Sequence, residues 1–134
     1  MDPVKILLVD DSLTVLALER LLLRDEHVEL STASNGRQAL EVARRTQPDL
    51  ILLDVVMPEM DGIECCRQLR ASPATRAIKI IMVTTKGNPA MVEAAYKAGC
   101  NDFVTKPIDK LDLLTKIQRT LGARMPAFRG EAST

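Results

Sequence analysis

Short, wholly apolar runs alternate along this chain with longer stretches whose apolar residues return every three or four positions, five times over. The first rhythm is that of a strand buried on both faces, the second that of a helix laid against a sheet. Val4–Val9 reads as the first strand. Ser12 then caps a helix running to about Asp25, with Val15, Leu18 and Leu22 on its inner face at i, i+3 and i+7. Val28–Thr32 is a short second strand, and Asn35 caps a helix that carries Ala39, Val42 and Ala43 inward before Pro48. Leu50–Leu53 is apolar throughout, as a central strand should be.

The second half repeats the rhythm. Asp61-Gly62-Ile63-Glu64 has the form of a capping box, and its helix extends to about Ala71. Ile78–Val83 is a fourth strand. Asn88-Pro89 opens the next helix with proline at its tolerated first position, and Gly99 closes it. Asn101–Thr105 is a less apolar fifth strand, suited to an edge. Asp109 caps a last helix with Leu114, Ile117 and Leu121 inward and Gly122 at its end. Strict βα alternation predicts a single doubly wound α/β domain, a five-stranded parallel sheet with helices on both sides. Periodicity alone leaves the strand order open.

The polar residues just past each apolar run are more telling than the runs themselves. The first strand ends in Asp10-Asp11, the third in Asp54, the fourth in Thr84, and the fifth in Lys106-Pro107. In a parallel sheet those carboxyl ends form one edge, where ligands bind. Each residue has an ordinary explanation when taken singly: acids cap helices, threonine suits strands, lysine suits turns. Three carboxylates together are costly unless a cation offsets them, and Mg²⁺ takes oxygen ligands while keeping several waters. A hydroxyl and an ammonium beside them suit the non-bridging oxygens of a phosphoryl group.

Composition narrows the alternatives. With 134 residues the chain is one domain's worth, and 18 basic against 18 acidic residues leave no global field drawing it to nucleic acid or anionic lipid. Its apolar runs fall well short of the roughly 20 residues of a membrane span, and the first residues lack a signal-peptide pattern, so a cytoplasmic location is expected. Cys65, Cys66 and Cys100 fit no metal-ligand spacing and read as reduced structural thiols. His27 is the only histidine, which argues against serine-hydrolase chemistry and multi-histidine metal sites.

Asp10-Asp11, Asp54 with Met57-Pro58 and Asp61-Gly62, Thr84, and Phe103-x-x-Lys106-Pro107 together resemble the response-regulator receiver domain of the CheY-like superfamily. The resemblance runs from about residue 4 to 121. It implies a flavodoxin-like strand order 2-1-3-4-5, for which CheY is the standing example. It further implies that Asp54 is the phosphoacceptor, charged by a sensor histidine kinase or a histidine phosphotransfer protein. Asp11, Asp54 and the backbone carbonyl of Val56 would hold Mg²⁺, with Asp10 acting mostly through water. Lys106 would pair with Asp54 at rest and with a phosphoryl oxygen afterwards. Thr84 and Phe103 would be the switch pair, and the Lys106-Pro107 bond would be cis. The signalling surface would be the fourth helix, fifth strand and fifth helix, about residues 88–121, facing a downstream protein target or a second copy of the chain. Val56 and Lys86 would flank the path of the water that hydrolyses phospho-Asp54.

Two other classes fit less well. A phosphatase of the haloacid-dehalogenase type needs a second acid two residues after its nucleophile, where this chain has Val56. A flavodoxin needs a hydroxyl- and glycine-rich loop after the first strand, where Asp10-Asp11 would repel a phosphate. The expectation is therefore a switch rather than an enzyme: residues 1–122 as receiver domain, 123–134 as a short flexible tail. The alternative is the amino-terminal module of a longer regulator, with the segment from Arg124 as the start of a linker.

Overall fold

The computed structural model describes residues 3–24, 26–85 and 88–122. The predicted helix end at Asp25, the side chain of Lys86 and the tail at 123–134 lie outside them. Ten elements alternate without exception: β1 (Val4–Val9), α1 (Leu13–Leu23), β2 (Val28–Ala33), α2 (Gly36–Thr46), β3 (Leu50–Asp54), α3 (Gly62–Ala71), β4 (Lys79–Thr84), α4 (Pro89–Ala98), β5 (Asp102–Thr105) and α5 (Lys110–Leu121). All strand pairs are parallel, in the order β2-β1-β3-β4-β5. This is the expected CheY-like arrangement, with β5 at an edge.

Alternation along the strands divides the interior in two. Leu7, Val9, Ile51 and Leu53 point to the side covered by α2, α3 and α4, where Ala39, Val42, Cys65, Leu69 and Ala95 pack on them. Ile6, Leu8, Leu50 and Leu52 point to the other side and meet α1 and α5 through Leu16, Leu23, Leu113 and Ile117. Full burial of one such side chain contributes about 1.5–3 kcal/mol, so the central strand anchors both layers. The cysteines belong to this packing: all three are buried, with the Cys65 thiol directed at the Gly36 carbonyl and that of Cys66 at Ala98. Burial pushes the Cys65 and Cys100 thiols up to about 12, which keeps them protonated and unreactive.

The predicted caps are in place. Ser12, Asn35, Asp61, Asn88 and Asp109 each accept from the backbone N–H three residues on. Glu64 differs from the expected box: its carboxylate pairs with Arg67 and Gln68.

The inner face of α1 is not the predicted one. The buried residues are Leu16, Glu19 and Leu23, one step round from Val15, Leu18 and Leu22. Leucine and valine surround this helix, so several stripes fit the spacing, and a carboxylate in the true stripe conceals it. Leu13, Leu18 and Leu21 are left exposed.

Candidate functional site

Strand register assembles the site. Val9 pairs with Leu53, so the next residues on the two strands, Asp10 and Asp54, come side by side where the sheet ends. Asp54 pairs with Val83, and Thr84 follows it. Thr84 in turn lies beside Thr105, and its carbonyl accepts the Lys106 N–H at 2.7 Å. The Lys106-Pro107 bond is cis, as expected. One carboxylate oxygen from each of Asp10, Asp11 and Asp54 lies within 4.8 Å of the others; Asp11 is exposed and the other two are buried.

The loop after β3 turns back tightly over the site. The Gly62 N–H donates to the Val55 carbonyl at 2.8 Å, and a Cβ at Gly62 would overlap the Asp54 carbonyl. Only glycine fits there. Glu59 takes the left-handed conformation at φ 67° to complete the turn. The Val56 backbone N–H acts to lower the Asp54 carboxyl pKa, while the Val56 side chain faces solvent.

Lys106 neutralises part of the cluster. Its Nζ lies 2.9 Å from Asp10 Oδ2 and 3.3 Å from Asp54 Oδ1. The second Asp10 oxygen accepts from the Ser12 N–H at 2.9 Å. Burial, together with the nearby Asp10 charge, pushes Asp54 up to about 6 despite Lys106. Burial also pulls the Lys106 ammonium down, but its bonds to Asp10 and Asp54 outweigh that and leave it raised. The donor set is all oxygen with one cation against three carboxylates, which fits a hard divalent ion with room for water.

Thr84 and Phe103 lead away from the carboxylates. The Thr84 hydroxyl donates to Met91 Sδ at 3.4 Å, tying β4 to α4. Phe103 is half-buried, with the Tyr96 ring edge-on at 6.2 Å and Lys116 Nζ 5.2 Å over its face. Lys116 also donates to the Phe103 carbonyl at 2.8 Å.

Every described residue expected from the sequence is thus at one sheet edge or on the adjoining β4–α4–β5 surface. Two participants were not foreseen. Met91, which accepts from the Thr84 hydroxyl, is one. Glu19, 1% exposed, is pushed up to about 8 by burial and by Asp10, with Lys106 acting the other way. The available signal was an acid three residues after Leu16 and four before Leu23.

A family model for the response regulator receiver domain matches residues 6–118. PleD of Caulobacter vibrioides, a response regulator, is 40% identical over 114 residues, which is 85% of this chain and 25% of PleD. The chain therefore spans about a quarter of the length of that relative. Among solved structures, the chemotaxis protein CheY4 of Vibrio cholerae superposes with a TM-score of 0.84 at 33% identity, covering 89% of this chain and 99% of CheY4. The receiver domain of the sensor histidine kinase PA1611 from Pseudomonas aeruginosa, solved with magnesium coordinated in its active-site cleft, gives 0.83 at 30% identity over 90% of this chain and 99% of that one.

The chain belongs to the response regulator receiver family of two-component signalling. Receiver domains work with histidine kinases as signalling switches rather than as enzymes in the ordinary sense. Among the described residues no helix is long and apolar enough to cross a membrane.

Proposed function

We propose that this chain is a phosphorylation-controlled switch in which Asp54 accepts a phosphoryl group from a phosphohistidine on a sensor histidine kinase or a histidine phosphotransfer protein. The observation that carries the reading is the position of Asp54, a nearly buried carboxylate at the open end of the central strand with an ammonium 3.3 Å away. A carboxylate oxygen of Asp54 attacks phosphorus, the phosphorus–nitrogen bond breaks, and the electron pair returns to the donor imidazole. Lys106 orients the attacking carboxylate and afterwards faces a phosphoryl oxygen. The Thr84 hydroxyl leaves Met91 for another of those oxygens, and Phe103 turns inward.

Asp10, Asp11, Asp54 and the Val56 carbonyl are the groups that would hold Mg²⁺. When bound, the ion supplies positive charge to the phosphoryl oxygens in transfer. No part of the reading needs a nucleic acid or a membrane, and a cytoplasmic setting supplies the kinase and the divalent ion. Its output is binding, through α4, β5 and α5, of a downstream protein or of a second copy of the chain. Residues 1–122 form the working unit, with 123–134 as a tail. The share of PleD covered favours a second form of the reading, in which this unit is the amino-terminal module of a longer regulator; a reading frame continuing past Thr134 distinguishes the two.

Acetyl phosphate tests the central step. Intact-mass measurement is expected to show one added phosphoryl group with Mg²⁺, none without it, and none on Asp54→Asn. Equal labelling of that variant would overturn the assignment.

A further inference from the structure

Glu19 stands where packing alone asks for leucine. It lies between Leu16 and Leu23 on the inner stripe of α1 and is 1% exposed. The other buried polar side chains are accommodated: Thr75 donates to the Leu69 carbonyl, Asp102 accepts from Arg119, and Asp10 accepts from Ser12 and Lys106. Glu19 Oε1 alone, among the buried side-chain atoms of the described residues, has no hydrogen-bond partner. A buried oxygen left in this way is costly, and a native structure that keeps one calls for a reason.

The neighbouring donor supplies that reason. Asp10, Lys106 and Asp54 all act on Glu19 electrostatically, although its carboxylate makes no direct ion pair with Lys106, whose partners are Asp10 and Asp54. Lys106 Nζ carries three N–H donors, and two of them go to Asp10 and Asp54. That leaves Lys106 with a third N–H and Glu19 with an unused buried acceptor.

We propose that Glu19 is a positioning residue for Lys106. Its free oxygen takes the third Lys106 N–H through one bridging water and retains the ammonium when Asp10 and Asp54 turn toward the metal and the phosphoryl group. Without that hold, Lys106 would follow whichever carboxylate remained and would be poorly aimed at phosphorus. Ionised or neutral, a glutamate side chain offers an accepting oxygen, and so does glutamine. The inference rests on the reading of Asp54 as phosphoacceptor.

Glu19→Leu and Glu19→Gln test it. In the leucine variant, Asp54 phosphorylation by acetyl phosphate at saturating Mg²⁺ is expected to slow by about tenfold, the scale of losses when a supporting hydrogen bond is removed behind a reactive site. Its Tm should equal or exceed that of the wild type, and the glutamine variant should label at near the wild-type rate. In metal-free protein, the Lys106 ammonium proton–nitrogen NMR signal should persist in the glutamine variant and shift or broaden in the leucine variant. Wild-type labelling by Glu19→Leu, equal impairment of both variants, or slow labelling with a lowered Tm would each overturn the proposal. Failure of the wild type to label at Asp54 would strike the phosphoacceptor reading instead, and the metal-free NMR comparison would still decide the Glu19–Lys106 pairing.

Discussion

Lys106 lies closer to Asp10 than to Asp54: 2.9 Å against 3.3 Å. The resting ammonium is thus shared: the pair with Asp54 that the family resemblance implied is present, and Asp10 joins it. Asp10 is committed on both sides, to Lys106 through Oδ2 and to the Ser12 N–H through Oδ1. Asp11 is exposed.

That difference predicts unequal roles in metal binding. Replacing Asp11 by Asn should weaken Mg²⁺ by about tenfold or more, a change of about 1.4 kcal/mol. Asp10→Asn should cost less, because its oxygens already serve Lys106 and the backbone. Magnesium titrations of the two variants check the ranking, and a larger loss at Asp10 would reverse it.

Phospho-Asp54 should be long-lived. Attack by water needs a molecule placed in line with the leaving carboxylate; Val56 is exposed and has no group to orient that water, and on the proposed reading it flanks the approach. Val56→Asn should hasten decay of the phosphoryl group by several-fold. An unchanged or slower decay would reject obstruction by Val56.

Stability of the metal-free protein should fall as pH rises. Asp54 and Glu19 have their folded values raised, to about 6 and about 8, so the folded state binds protons that the unfolded state has released. Their contribution is present below the ordinary carboxylate range and is lost as pH climbs through those values. The Tm advantage of Glu19→Gln over wild type should therefore grow from about pH 4.5 to about pH 8 and then level off. A difference independent of pH would mean that Glu19 titrates normally.

Addition of beryllofluoride, which imitates a bound phosphoryl group, should move NMR signals well beyond the Asp54 loops. Thr84 is tied to α4 through Met91, and Phe103 is tied to α4 and α5 through Tyr96 and Lys116. Shifts are expected across α4, β5 and α5, since only a few kcal/mol of bias moves such an equilibrium. Changes confined to the neighbourhood of Asp54 would count against it.

The fold was legible because each element carried its own punctuation. Asn35, Asp61, Asn88 and Asp109 marked helix starts, Gly99 marked a stop, and Leu50–Leu53 marked the centre of the sheet. The site was legible because parallel strands put their following residues on one edge whatever the strand order. The inner face of α1 was not, since leucines at 16, 18, 21, 22 and 23 satisfy more than one helical stripe. Glu19 was hidden for a related reason: periodicity counts apolar residues, and a carboxylate in the core subtracts from the signal it belongs to. The sulfur bond from Thr84 to Met91 depends on the approach of α4 to β4, which no local pattern encodes.

The hold of Lys116 on Phe103 has a consequence at the outer surface. One ammonium lies over the ring and bonds the carbonyl of the same residue, so on the proposed reading an inward swing of the ring disturbs a surface charge. Thermodynamic reciprocity makes that relation two-way. Any partner that binds more tightly when the ring has turned inward must, by the same factor, favour the phosphorylated state of Asp54. The amount of target in its surroundings would then help set how fully the switch is thrown, without any change in the kinase that feeds it.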